Sequence, residues 1–193
     1  PTSKRYKILT EAGAFSSDQY VFESQLRFHG RSPDDALIEL EPRKGETYLR
    51  TEDIVSEIEN NREELALIFF GGVQYYTGQF FDIHTITSAG HKAGAVVGFD
   101  LAHAVGNVLL NLHDDGVDFA AWCSYKYLNS GPGAIAGVFV HERHAEKFDL
   151  PRFTGWWGHN EKERFEMKKG FKGMKGVDGW QLSNPPILQS AAH

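Results

Sequence analysis

The sequence has 193 residues, 41% of them hydrophobic and 24% charged, which is ordinary for one globular domain. Its formal net charge of −6 argues against a nucleic-acid-binding surface, and no apolar stretch is long enough to cross a membrane. The single cysteine, Cys123, excludes an internal disulfide framework and is typical of a reducing compartment, so we expect a cytoplasmic protein.

Short apolar runs recur along the chain at nearly constant spacing. They begin at residues 6, 36, 65, 95 and 117, and this spacing is typical of strands joined by crossover helices. Amphipathic segments near 18–29, 51–60, 82–93 and 101–113 supply the predicted helices. Thr51 is the expected N-cap of the second helix, and Gly94 and Gly116 are expected where the last two helices end.

A sixth apolar run, residues 134–141, follows the fifth after a turn rich in glycine, 129–133. That connection is too short for a crossover helix, so we expect these two strands to be antiparallel. The predicted fold is therefore a three-layer α/β/α domain with a mixed, mainly parallel sheet, comprising residues 1–193. The segment 150–184 has no regular pattern, and a loop of that length is usually functional or poorly ordered.

The fourth and fifth runs are followed by groups that carry chemistry. AVVGFD ends on Asp100, and Lys126 follows the fifth run in SYKYL. Because ligands bind beyond the carboxyl ends of the strands in open α/β sheets, both groups are expected at one site. An acid that keeps a pyridine nitrogen protonated and a lysine that forms an imine are what pyridoxal phosphate requires.

Each of these residues also has a simpler interpretation. Most lysines are exposed charges, Asp100 is a favoured N-cap for the predicted helix after it, and His103 could be a core-facing histidine. Trp156 and the residue after it could form an aromatic substrate wall or an interface. Gly71 could let the backbone approach a ligand, although no nucleotide-binding glycine motif is present, and no histidine or cysteine spacing indicates a metal site.

Four motifs together resemble one family. These are GFDLAHAVGNV, DFAAWCSYKYLNSGPGAIAGVFVHERH, GWWGH and LSNPPIL, and the likeness runs from about Arg5 to the last residue. The sequence is similar to the kynureninases, which are pyridoxal-phosphate enzymes of fold type I. The resemblance implies hydrolysis of L-kynurenine or 3-hydroxy-L-kynurenine, in tryptophan catabolism, to an anthranilate and L-alanine.

The resemblance also implies roles for individual residues. Lys126 matches the lysine that binds the cofactor covalently, Asp100 the acid paired with the pyridine nitrogen, and His103 a histidine lining the cofactor. Phe15 in AFSSD matches the aromatic residue stacked on the cofactor ring, and Asp18 lines the same pocket.

Further matches concern proton transfer and the oligomer. Tyr125 matches a tyrosine that contacts the cofactor phosphate and takes part in proton transfer. Trp156 and Asn184 match residues that reach the cofactor and substrate region, in this family across the interface of a homodimer. Gly71 stands where the family pattern has serine, so one side-chain donor to the phosphate is in doubt, and the family's proline is missing from AFSSD.

Two alternatives remain open at this point. Another fold-type-I enzyme, such as a cysteine desulfurase, would share the acid, the histidine and the lysine, and a catalytically silent piece of the fold would share all the motifs. The family's upstream phosphate loop and its small C-terminal domain have no counterpart in these residues. We therefore expect a fragment that does not turn over L-kynurenine by itself.

Overall fold

The computed structural model describes all residues, Pro1–His193, and contains one six-stranded sheet. The strands are β1 (Lys7–Glu11), β2 (Leu37–Leu40), β3 (Leu65–Gly71), β4 (Val96–Asp100), β5 (Phe119–Cys123) and β6 (Ala136–Val140). Their order is β2-β1-β3-β4-β5-β6, and the first five are parallel, whereas β6 is antiparallel to β5. The predicted mixed, mainly parallel sheet is confirmed.

Five α-helices connect or flank the strands. They are α1 (Ser16–Phe28), the single turn α2 (Pro33–Ala36), α3 (Thr51–Asn60), α4 (Ile83–Ala93) and α5 (Ile187–Ala192). Short 3-10 turns lie at Glu142–His144, Trp156–Gly158, Arg164–Glu166 and Gly176–Trp180. None of the helices combines the length and the apolar character needed to cross a membrane.

The helices cover both faces of the sheet because neighbouring strand residues point to opposite sides. On one side Ile8 packs with Phe22 and Leu26 of α1. On the other, Leu9 belongs to the larger core cluster, which includes Ile54 of α3 and Ile86 of α4. Full burial of each such side chain contributes roughly 1.5–3 kcal/mol. These two clusters give the domain its predicted three layers.

The predicted helix over residues 101–113 is wrong. The chain there makes successive turns, in which the Val105 and Val108 amides donate to the carbonyls of Leu101 and Ala104, without a continuous helix. Gly106 interrupts them with φ of +80°, and a Cβ on this residue would lie 3.1 Å from the Tyr127 backbone. The helix-like spacing of apolar residues in 101–113 therefore belongs to a series of turns, which pack against the core and against residues 127–128.

The helix ends agree only in part with the sequence. Gly94 closes α4 in the left-handed region with φ of +81°, as expected. The N-cap position of α3 belongs to Arg50, and Thr51 is the first helical residue, so the cap prediction is wrong by one position. Gly116 also has positive φ, but it follows a turn and no helix ends there.

The segment 150–184 contains no strand and no α-helix, and two cation–π contacts hold it together. The Arg152 guanidinium lies 4.2 Å from the ring centroid of Trp180, and that of Arg164 lies 4.4 Å from Trp157. A Cβ at Gly155 would lie 2.0 Å from a backbone oxygen at residue 182, so the turn at 155–158 packs directly on the chain that follows it.

A buried acid ties the elements together at the amino end of β5. Asp118 accepts hydrogen bonds from the Val97 amide at 2.9 Å, and it contacts His91 Nε2 at 2.8 Å and His144 Nε2 at 2.7 Å. Burial opposes its ionisation, but the hydrogen bonds from Val97, His91 and His144 outweigh that effect and hold the pKa of Asp118 below its ordinary value of 3.8. The carboxylate thus joins β4, α4 and the 3-10 turn after β6.

Asp118→Asn should lower the free energy of unfolding by roughly 1–2 kcal/mol at neutral pH, because the amide keeps one acceptor but loses the charge. The folded-state pKa lies below the unfolded one, so this contribution is present above about pH 4 and is lost as the pH falls through the folded value. Urea unfolding should show the difference between the two proteins shrinking below about pH 4. Asp114→Asn, at an exposed carboxyl, should leave stability unchanged, and a difference that stays constant with pH would contradict this assignment of Asp118.

Candidate active site

The five parallel strands all end at the same edge of the sheet, and four of them lead into the candidate site. β1 ends at Glu11, β3 at Gly71, β4 at Asp100 and β5 at Cys123. Gly71 and Asp100 are direct neighbours in the β3–β4 register, and the Gly72 amide donates to the Asp100 carbonyl at 2.7 Å. A Cβ at Gly72 would lie 2.5 Å from the Leu101 side chain, so the backbone after β3 packs this closely on Leu101 only because residue 72 is glycine.

Asp100 shapes the turn that leaves β4. Its Oδ1 accepts the Ala102 amide at 2.8 Å. No helix follows, so the interpretation of Asp100 as a helix N-cap is wrong, although the carboxylate still satisfies one backbone donor. This turn carries the chain on to His103. Burial and then the positive charge of Lys126 lower the pKa of His103, which favours a neutral imidazole beside the site.

A second carboxyl group from α1 reaches Asp100. Asp18 lies in the first turn of α1, which begins directly after Phe15. Burial, followed by the charge of Asp100 and a hydrogen bond shared with it, raises the pKa of Asp18 to about 7. Lys126 acts in the opposite direction and lowers it. At neutral pH the Asp18 carboxyl group is therefore protonated part of the time.

Lys126 lies in a closed loop after β5. The Ser130 amide and hydroxyl donate to the Ser124 carbonyl at 3.2 and 2.9 Å, and the Ser124 hydroxyl donates to the Ile135 carbonyl. The Lys126 Nζ lies 5.5 Å from the ring centroid of Phe15. The structure thus brings the predicted lysine and the predicted stacking residue to one place.

Two pairs of aromatic rings lie near this lysine. The Phe15 ring packs edge-on against Tyr75, with 5.4 Å between centroids, and the His103 ring packs against Tyr127 at 5.8 Å. Tyr125 is half-exposed, and a hydrogen bond with the Cys123 thiol raises the pKa of its phenol. Tyr125 is therefore protonated at neutral pH, as a proton donor must be.

Gly71 makes a different contact from the one predicted. Its amide donates to both carboxyl oxygens of Glu11, at 3.2 and 3.3 Å, and is engaged within the protein. A Cβ at this position would lie 3.2 Å from Glu11 Oε1, so the absence of a side chain leaves room for that carboxyl group. A contact between Gly71 and a cofactor stays a prediction.

Trp156 and Asn184 do not join the group around Lys126. The ring neighbours of Trp156 are Trp157 and Phe165, and Trp156 is 43% exposed. Asn184 accepts a hydrogen bond from the Ser183 hydroxyl at 3.3 Å. The expectation that these two residues act across a homodimer interface stays a prediction.

Sequence reasoning missed two residues at this edge. Glu11 is 4% exposed, and it closes KILTE in the same way that Asp100 closes AVVGFD, a signal that could have identified it. Gln74 is also buried, and it donates to the Gly13 carbonyl at 3.0 Å while accepting the Tyr76 amide at 2.6 Å. It thereby ties the loop before Phe15 to the loop that carries the aromatic residue packed against it. No sequence pattern marks Gln74.

Metal chemistry has no support in this geometry. No group of three or more histidine, cysteine, aspartate or glutamate side chains is arranged to hold a metal ion. The site instead combines carboxyl groups, one amine and aromatic rings, a set suited to an aromatic group that carries a positive charge and a reactive carbonyl.

Known proteins resemble this chain strongly in sequence. The chain is 62% identical over all its residues to the kynureninase of Flavobacterium psychrophilum, and 54% identical over 198 aligned positions to that of Saccharomyces cerevisiae. It covers 45% and 44% of those two proteins, and so spans less than half the length of the curated relatives it matches. The predicted resemblance to the kynureninases is confirmed.

Comparisons with solved structures and with protein families are consistent with this sequence similarity. A cysteine desulfurase of Escherichia coli superposes with a TM-score of 0.74 at 16% identity, covering 98% of this chain and 44% of that one, which shows a shared fold alone. A model of the aminotransferase class-V family matches residues 40–166, more than half of the sequence. The chain therefore belongs to the aminotransferase class-V family.

Proposed function

We propose that residues 1–193 form the cofactor-binding domain of a kynureninase. Such an enzyme hydrolyses L-kynurenine or 3-hydroxy-L-kynurenine to anthranilate or 3-hydroxyanthranilate and to L-alanine. One observation supports this most: Asp100 and Lys126 lie at the ends of neighbouring strands, in a chain that is 62% identical to a kynureninase over its whole length.

The residues present fit pyridoxal phosphate. Asp100 offers a carboxylate to a pyridine nitrogen, Lys126 an amine to the aldehyde, and Phe15 a ring 5.5 Å from that amine. His103 and Asp18 would line the same pocket, since both interact electrostatically with Lys126 and Asp100. When bound, pyridoxal phosphate would supply an electron sink for loss of the α-proton and for cleavage of the substrate's Cβ–Cγ bond.

The protein's own residues would orient the substrate and move protons. Lys126 is the amine placed to take up and return the proton on the substrate's α-carbon, because it is held beside Phe15 by the loop 124–130. Asp100 would keep a positive charge on the ring nitrogen. Tyr125, with its protonated phenol one residue away from Lys126, is the proposed general acid toward the departing fragment.

A cysteine desulfurase is less well supported. Such an enzyme needs a nucleophilic cysteine on a mobile loop, whereas Cys123 is the last residue of β5 and is paired with Ala136 of β6. The likeness to solved desulfurases, at 16% identity in the example above, concerns the fold. A catalytically silent domain is the remaining alternative, and activity measurements decide it.

The proposal also includes the oligomer and the compartment. We propose a homodimer in which Trp156 and Asn184 approach the partner's cofactor site, since neither contacts the Lys126 group of its own chain in the hydrogen bonds and ring contacts described above. Exposed Trp156, Phe165 and Met167 are consistent with a surface that a second copy covers. We also propose a cytoplasmic location, which the single cysteine, Cys123, supports.

The test places residues 1–193 in a full-length background, replacing the matching region of the Flavobacterium psychrophilum kynureninase. The purified chimera, supplied with pyridoxal phosphate, should release anthranilate and L-alanine from L-kynurenine in equal amounts. Fluorescence of anthranilate and an alanine assay measure the two products. A folded chimera that binds the cofactor but releases neither product would show that the domain is catalytically silent.

A further inference from the structure

Glu11 is a buried acid without a cationic partner. It is 4% exposed, and its contacts are the Gly71 amide at 3.2 and 3.3 Å and the Thr10 hydroxyl at 3.4 Å. Burial raises the pKa of Glu11 to about 7, against the lowering effect of its hydrogen bonds. A buried carboxyl group of this kind costs stability when it ionises, and nothing in the proposed reaction so far uses it.

A continuous chain of contacts leads from Glu11 to Asp100. Glu11 binds the Gly71 amide on β3, Gly71 is paired in register with Asp100 on β4, and the Gly72 amide donates to the Asp100 carbonyl. The carboxyl group occupies the space where a side chain at position 71 would lie. The end of β3, and with it the backbone of Asp100, is thus held from the side by Glu11.

The charged groups that interact with Glu11 are carboxyl groups on β4 and α1. Asp100 on β4 raises the pKa of Glu11, and Glu11 in turn raises that of Asp18 on α1. Lys126, after β5, acts on Asp18 and on His103. Glu11, Asp100 and Asp18 therefore repel one another, and a cation bound beside Asp100 would relieve that repulsion.

We infer that Glu11 is a positioning residue for the proposed cofactor site: it holds the end of β3 beside Asp100 and, when ionised, adds negative charge near the Asp100 carboxylate. The inference rests on the proposed function. It predicts that Glu11 strengthens the binding of a protonated pyridine ring only at pH values where Glu11 itself is ionised.

The experiment measures the affinity for pyridoxal phosphate by visible absorbance in the full-length background, at about pH 6 and about pH 8, on either side of the Glu11 pKa of about 7. Glu11→Gln keeps an oxygen for the Gly71 amide but cannot ionise. The Glu11→Gln protein should bind pyridoxal phosphate as tightly as wild type at the lower pH and about tenfold more weakly at the higher pH. A tenfold change corresponds to one pKa unit of interaction between the Glu11 charge and the protonated ring. Glu11→Ala, which also loses the hydrogen bond, should bind more weakly at both.

Glu64→Gln is the matched control, because Glu64 lies at the opposite end of the sheet, where it pairs with Lys7, and should not alter affinity at either pH. If Glu11→Gln equals wild type at both pH values, or is weaker by the same factor at both, the inference is overturned while the proposed function stands. If wild type itself does not bind pyridoxal phosphate, both are overturned.

Discussion

Replacing Lys126 with alanine should lower kcat/KM for L-kynurenine in the full-length background by at least about 10³-fold, because one side chain is expected to bind the cofactor and to transfer the α-proton. Positioned acid–base catalysis alone contributes about 10²–10⁴-fold, and loss of covalent attachment adds to it. The loop 124–130 is held by Ser124 and Ser130, so the substitution should leave the fold intact. Anthranilate fluorescence measures the loss.

The matched control for this variant is Lys44→Ala, which removes an exposed amine in the turn before α3, outside the site and outside the proposed dimer surface. It should retain wild-type activity and unfold at the same urea concentration. If Lys126→Ala also keeps a substantial part of its activity, for example a tenth or more, then another amine holds the cofactor and the assignment is wrong.

Asp100→Asn should reduce turnover by roughly 10–100-fold, since a hydrogen bond to a charged group contributes about 1.5–3 kcal/mol and 1.4 kcal/mol corresponds to about tenfold. The fold should persist, because the asparagine oxygen can still accept the Ala102 amide that Asp100 accepts at 2.8 Å. The substitution also removes the charge that raises the pKa of Asp18, so that pKa should fall below about 7. Steady-state kinetics and carboxyl titration by NMR report the two effects.

Asp114→Asn makes the same chemical change at an exposed carboxyl outside the site and should leave turnover unchanged. If Asp100→Asn has wild-type kinetics, its carboxylate serves only the turn after β4. If its activity falls but the Asp18 pKa does not move, the two acids do not interact as described.

Much of the fold could be predicted because a strand can be recognised from a short run of apolar residues. Apolar runs of constant spacing located all six strands within a few residues, and the short 129–133 turn identified the antiparallel pair. The alternation of Ile8 and Leu9 between the two faces follows from strand geometry alone. Such features depend on a few neighbouring residues, so one sequence is enough to show them.

The wrong predictions, a helix over 101–113 and Asp100 as its N-cap, concern features that depend on tertiary contacts. The apolar spacing in 101–113 is that of a helix, but Gly106 packs so closely on a residue distant in sequence that a Cβ there would lie 3.1 Å from the Tyr127 backbone. Without that helix, Asp100 could not be its N-cap. No local pattern contains this information.

The sequence predicted only those residues of the candidate site that lie in a recognisable motif. Asp100 and Lys126 follow apolar runs, and the geometry places them with Phe15, Asp18 and His103. Glu11 was missed because an acid at a strand end is usually solvated, and its burial depends on how β1 and β3 pair. The contacts of Trp156 and Asn184 would lie in a second chain, which a single sequence does not describe.

The most direct measurement is chemical. Borohydride reduction of the cofactor-loaded chimera, followed by peptide mass mapping, locates the amine that binds pyridoxal phosphate. We predict one phosphopyridoxyl adduct, on Lys126, and none on the exposed lysines such as Lys168 and Lys175. A single adduct on any other lysine would contradict the proposed active site.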